Sequence, residues 1–332
     1  RARPASTSTR RATTPHAPAS PPPARRAPPP ALALPPPQPG RSPHREVRTR
    51  VLAPPPLKTG WAGWTVAYKP YPNTSFWNGT NFSSGTSDAR VGHENDTGGT
   101  ARSFWRMKYD AALKGAAITS ATFKVLNNHS WSCTDREFQL WTTGAISSGT
   151  TWNKQPSWSS EVQRKSFAHG WSSSSCPDEY EAFNVKTAAQ KAADGGASSL
   201  TLGMRASSEN DTQTWRKFQA TSATLEVAYN RPPATPSSVS SVPGGTCNTP
   251  TAGATVGKTN LVLSAKSTDP DGNLKGLRFR FWKHGAATPA GTLVTSLTSG
   301  KGTLTIASST LVDKGVYHWD VRAEDSNSPT AV

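Results

Sequence analysis

ATFKVLN, residues 121–127, sets Phe123 and Val125 against Thr122 and Lys124, and this two-residue period decides the fold class. Successive side chains of a strand point to opposite faces, so the segment offers one apolar face to a core and one polar face to water. A helix would repeat its apolar positions three and four residues apart instead. The same alternation returns in REFQLW (136–141), SLTLGMR (199–205) and TLEVAYN (224–230). With Gly, Ser, Thr and Asn crowding the intervals, the pattern predicts an all-β, antiparallel, jelly-roll-like β-sandwich. One segment breaks it: in NVKTAAQKAADGG (184–196) alanines and other helix formers run into a Gly-Gly stop, predicting a short helix near residues 186–193.

Outward from this block the composition changes twice. Residues 1–58 hold 17 of the 29 prolines, ten arginines, one lysine, the single acid Glu46 and no aromatic residue. Such a segment cannot bury enough apolar surface to offset the entropy of ordering, so a disordered tail is expected over 1–58 and a sandwich over 59–230. RPPATPSSVSSVPGG (231–245) reads as a linker, because Pro and Ser crowd out any strand pattern. Beyond it LVLSAKS, LRFRFWK, GTLTIAS and YHWDVRAED alternate again, predicting a second, smaller Ig-like β-sandwich over 246–332 that stops one strand short. Residue 1 is Arg, so the chain reads as a fragment or a processed form.

The formal charge of +16 would suggest a nucleic-acid partner, but about ten of those charges sit in the tail. Without interleaved aromatics to stack bases, the tail reads as a linker rather than a nucleic-acid arm. No apolar run approaches the roughly 18 residues of a membrane span, so no membrane contact is expected.

The catalytic inventory is thin. There is no G-x-S-x-G elbow, and HENDT (93–97) lacks the second histidine of a zinc helix. Asp178, Glu179 and Glu181 cluster beside a strand start, where a solvated polar rim is expected. His93, His129, His169, His284 and His318 are scattered with no two at ligand spacing, so no metal and no cofactor are expected. The turn Asp269-Pro-Asp271-Gly-Asn273 begins as calcium loops do. Its glycine falls at the fourth place and no bidentate Glu follows, so plain turn chemistry competes with calcium there.

Cys133 would be a nucleophile only beside a base. His129, four residues off along an extended strand, lies about 13 Å away. Cys176, after a polar loop and just before the next strand, is the better partner. A bridge closes a loop of about 44 residues, stabilises by about 4 kcal/mol in the loop-entropy model, and implies an oxidising, extracytoplasmic setting. Cys247 then wants a partner beyond Val332.

Twelve tryptophans are many for so few large aliphatics. Trp77, Trp131, Trp141, Trp152, Trp158 and Trp171 sit among Ser, Thr, Asn and Gly, the mixture with which proteins stack a sugar ring and hydrogen-bond its hydroxyls. Trp77, Trp152, Trp158 and Trp171 are the candidate carbohydrate-binding residues. The competing reading has most tryptophans plugging the sandwich in place of leucines. Exposed, roughly coplanar indoles fit the first reading and buried ones the second.

ARSFWRMKYDAALKGAAITSATFKVLNNHSWSC (101–133), TTWNKQPSW (150–158), FNVKTAAQKAADGGASSLTLGMRASS (183–208) and FQATSATLEVAYN (218–230) resemble, in this order, the DNRLRE domain. The resemblance covers about residues 60–230. Where family members usually carry Asp-Val-Thr and a helix tryptophan, this chain has Asn184, Val185, Lys186 and Ala192. DPDGNLKGLRFRFW and YHWDVRAEDS resemble the Ig-like modules that accompany that domain in secreted or cell-surface actinobacterial proteins. The resemblance implies a secreted, non-enzymatic β-sandwich grouped with carbohydrate-binding modules, whose partner is a polysaccharide or a cell-surface glycan. A purely structural spacer segment of a large secreted protein is the alternative, and a polysaccharide-degrading enzyme the third.

Overall fold

The period-2 segments all become strands in the computed structural model, which describes residues 55–82, 88–246 and 253–325. Residues 1–54 of the expected tail, and Cys247 with its expected partner, lie outside the described residues. The first module is built from β1 (Leu57–Tyr68), β2 (Asp88–His93), β3 (Thr100–Lys108), β4 (Ala117–Ser130), β5 (Arg136–Thr143), β6 (Trp158–Phe167), β7 (Glu179–Asn184), α1 (Lys186–Asp194), β8 (Ser199–Ala206) and β9 (Arg216–Asn230).

Every pairing is antiparallel. One layer runs β7-β4-β9 and the other β6-β5-β8-β3. Two strands pass between the layers: Leu57–Gly60 of β1 pair with β9, and the rest of β1 pairs with β3 after a bulge at Trp61–Gly63. Likewise Asp88–Val91 of β2 pair with β9, and Gly92–His93 with β3. The facing edges β6 and β7 are joined by side chains, Lys165 to Glu181 and the Asn184 N–H to Gln163.

Between the layers Phe123 and Val125 meet Phe183, Phe218, Leu225, Trp105 and Phe138, all fully buried. Each such side chain stabilises by about 1.5–3 kcal/mol relative to exposure. Helix α1 covers one end with Ala188, Ala189, Ala192 and Ala193, side chains small enough for Tyr109 to reach its backbone and donate to the Ala189 carbonyl at 2.7 Å. It ends before Gly195–Gly196, as its sequence predicts.

The second module comprises β10 (Ser237–Val242), β11 (Gly245–Thr246), β12 (Leu261–Lys266), β13 (Leu274–Lys283), β14 (Thr292–Val294), β15 (Lys301–Ile306) and β16 (Tyr317–Asp325). Sheets β11-β10-β12-β15 and β14-β13-β16 enclose Leu263, Leu277 and Phe279. The segment read as a linker is therefore a linker only up to Pro236. Val239 packs on this second core, and Pro236 and Pro243 flank the strand, where proline is tolerated. At the junction Asn230 donates to Asp325 Oδ2 at 2.7 Å, and both oxygens of Asp271 accept from Arg231, at 2.6 and 2.7 Å. Asp269 Oδ1 accepts the Asp271 N–H at 2.7 Å, which is turn chemistry. A guanidinium thus lies against Asp271 where the calcium reading would set a metal.

Candidate functional site

The layer containing β3, β5 and β8 is covered on both sides. Alternation turns Arg102, Phe104 and Arg106 of β3 away from the core, yet Phe104 is fully buried beneath the loops 69–82 and 144–157. Asn153 fastens these loops together, donating to the Pro72 carbonyl at 2.9 Å and to Asn73 Oδ1 at 3.0 Å. Trp77, Trp152 and Trp158 pack half-buried on the patch formed by Ala67, Phe104 and Ile146. Gly63 makes room, because a Cβ there would lie 2.5 Å from the Trp77 ring.

Arginines interleave with these indoles. Arg106 sits 5.5 Å from the Trp77 centroid, Arg102 is 4.8 Å from Trp152, and Arg205 is 4.6 Å from Trp141 and 5.1 Å from Trp158. Glu209 holds Arg102 at both ends, at 2.7 and 2.6 Å, and Gln139 accepts from both Arg205 and Trp141. Trp141 and Trp158 meet at 88°, so the rings are not coplanar. Sugar stacking needs a free aromatic face, and here cations occupy the approach to the rings. Three of the four candidate tryptophans are thus brought together, as an aromatic-cation layer. Trp171 stands apart.

Of the twelve tryptophans, Trp171 at 52% and Trp131 at 36% are the exposed ones. Both belong to the end of the sandwich crosslinked by Cys133–Cys176. Cys133 lies in the turn between β4 and β5. Cys176 closes a hairpin in which its carbonyl accepts from the N–H groups of Gly170, at 2.9 Å, and Trp171, at 3.2 Å. Gly170 has φ 80° and lies so close to β4 that a Cβ would fall 2.3 Å from the backbone of Asn128 and His129. Only glycine satisfies both demands. His129 meets the Trp131 ring edge-on at 5.3 Å.

Beneath this rim lies a charged layer that the alternation does not reveal. Glu181, read from sequence as part of a solvated rim, has a side chain only 1% exposed, with Lys165 at 2.6 Å and His169 at 3.5 Å. Period 2 turns it inward, while Glu179 stays exposed and approaches the other nitrogen of His169 at 3.0 Å. Burial raises the Glu181 carboxyl above the usual range, outweighing the Lys165 hydrogen bond and charge and the His169 charge. Arg216, fully buried, donates to the carbonyls of Gln213, Trp215 and Phe167, and burial followed by repulsion from Arg136 brings it down to about 10. Burial, then Lys217 and Arg216, lowers His129.

Among the described residues no three His, Cys, Asp or Glu side chains are placed to hold a metal, and no helix is long and apolar enough to cross a membrane. A shallow depression of about 380 Å³ at the β6–β7 seam is lined by Ser120, Thr122, Gln163, Asn184 and Lys186 among others.

No protein-family model matches the chain, and neither does any curated protein. Among solved structures, a Bacteroides fragilis protein assigned as a beta-galactosidase aligns at TM-score 0.25 and 7% identity, over 82% of this chain and 36% of its own. Bacteroides uniformis beta-glucuronidase 2, solved covalently bound to cyclophellitol-6-carboxylate aziridine, aligns at TM-score 0.24 and 10% identity, over 81% of this chain and 28% of its own. The chain thus spans about a third of the length of these neighbours. Likenesses this slight carry no argument about activity.

Proposed function

We propose that the first module is a non-catalytic, extracellular binding module for polysaccharide or cell-surface glycan, and that it binds through the rim holding Trp131 and Trp171. The observation that carries this reading is the exposure of these two indoles at the one crosslinked end, while the other ten are half-buried or buried. Large rigid rings held on a fixed backbone lose little entropy when a pyranose stacks on them. The disulfide supports the oxidising setting, and the resemblance to the DNRLRE domain supports the ligand class. The second module then acts as a spacer.

The test is a glycan array followed by polysaccharide pull-down with the full chain and its Trp171→Ala and Trp131→Ala variants. A loss of tenfold or more in affinity is expected for each, equal to about 1.4 kcal/mol. Trp77→Ala and Trp152→Ala should instead lower stability. Full-strength binding by the Trp131/Trp171 double variant would remove the rim from the reading. Failure to bind any glycan favours the structural segment, a reading supported by the arginine-capped indoles and the hydrogen-bonded module junction.

A further inference from the structure

We propose that His284 and His318 form a two-histidine surface site for a divalent late first-row transition metal on the second module. The pair is invisible in sequence because 34 residues separate its members, and strand register brings them together. Trp282 lies opposite His318, and the His284 N–H donates to the Val316 carbonyl at 2.8 Å, so His284 is the diagonal neighbour of His318 across β13 and β16. His284 Nδ1 and His318 Nε2 are 2.8 Å apart, with ring centroids 5.1 Å apart at 46°.

Two nitrogens each about 2.0–2.1 Å from one ion are about 2.9 Å apart at a right angle and about 3.4 Å apart at a tetrahedral angle. The observed spacing is near that of cis ligands, and imidazole nitrogens hold Cu(II) more tightly than the other divalent first-row ions, Ni(II) and Zn(II) included. In the present geometry the nitrogens point at one another and share a proton. To take a metal, each ring turns by about 45° off that line. His284 is exposed and His318 partly so, with the Trp282 ring flanking His318 on one side, so the solvent side is where the rings have room to turn. Asp320, the nearest acid on the same face of β16, is engaged by Arg280 at 2.7 Å, so water completes the coordination sphere. The Trp282 ring, 5.8 Å from His318, makes a fluorescence reporter.

CuCl2 is titrated into the full chain by electron paramagnetic resonance and by fluorescence, alongside His284→Gln, His318→Gln and a His16→Gln/His44→Gln control. One equivalent of Cu(II) with two equatorial nitrogens is expected. Affinity should fall at least tenfold in each of the first two variants and hold in the control, with an unchanged thermal melt. Trp282→Phe should remove most metal-dependent quenching without loss of binding. With CoCl2 the site should give the weak absorption of six-coordinate Co(II). An unchanged Cu(II) titration in His284→Gln and in His318→Gln, or an intense tetrahedral Co(II) spectrum, would overturn the proposal.

Discussion

Replacing Cys133 and Cys176 by serine together tests how the rim is held. Forty-three residues separate the two cysteines. In the chain-entropy relation a loop of this size removes about 13 cal/mol/K from the unfolded ensemble, or about 4 kcal/mol at 25 °C. The folded hairpin retains its own hydrogen bonds without the crosslink, since Cys176 still accepts from Gly170 and Trp171 and Gly170 still seats on β4. The loss therefore falls mainly on the unfolded side. For a domain of 150–250 residues each kcal/mol moves Tm by about 2–4 °C, so scanning calorimetry of the double variant should show a drop of about 8–16 °C. Urea unfolding should give a steeper m-value, because the unlinked chain exposes more surface. Reductant added to the wild type should reproduce both effects and leave the double variant unmoved. A Tm drop under about 2 °C, with an unchanged m-value, would refute the reasoning.

Two buried carboxylates should respond oppositely to pH. Burial pushes Glu94 up, but hydrogen bonds from Thr97, from Tyr68 at 2.5 Å and from the N–H groups of Thr97 and Asp96 outweigh it and leave the carboxyl below its usual range. Its contribution is present above the ordinary carboxylate pKa and is lost as pH falls through the depressed value. Glu94→Gln should cost about 2 kcal/mol at pH 7, a difference that shrinks in urea melts below pH 4. Glu181, raised by burial, contributes below the ordinary carboxylate pKa and loses that contribution as pH rises through its own. Glu181→Gln should therefore match the wild type near pH 4 and equal or exceed its stability at pH 8. Gly170→Ala combines a positive φ with a 2.3 Å clash, and should cost about 1–3 kcal/mol and shift the Trp171 indole resonance in NMR spectra.

The strands were legible because alternation is a local property: ATFKVLN, REFQLW, SLTLGMR and TLEVAYN each placed their apolar set on the core. The helix was legible from composition, and the disulfide from the thin choice of partners among three cysteines. The tryptophan environments were not, because what caps an indole comes from elsewhere in the chain. Arg205 reaches Trp141 across 64 residues, through the β5–β8 register. A faint signal did exist in SFWRM, where Phe104 and Trp105 are consecutive large apolar residues. Such a pair marks a strand buried on both faces, and so a layer roofed by loops. Glu181 was missed because charge density in sequence reads as solvent, whereas its parity along β7 sends it inward. The strand at Ser237–Val242 was missed because two valines three residues apart among serines, Val239 and Val242, give no two-residue period.

β9 ends at Asn230, and the residues that close the junction, Asn230 and Arg231, continue directly from it. The same strand is hydrogen-bonded on one side to β4 along most of its length and on the other to β1 and β2. A pull on the second module therefore enters the sandwich along the axis of an interior strand. It meets many hydrogen bonds in shear together, rather than unzipping an edge strand one bond at a time. The junction is thus attached where the sandwich resists shear best.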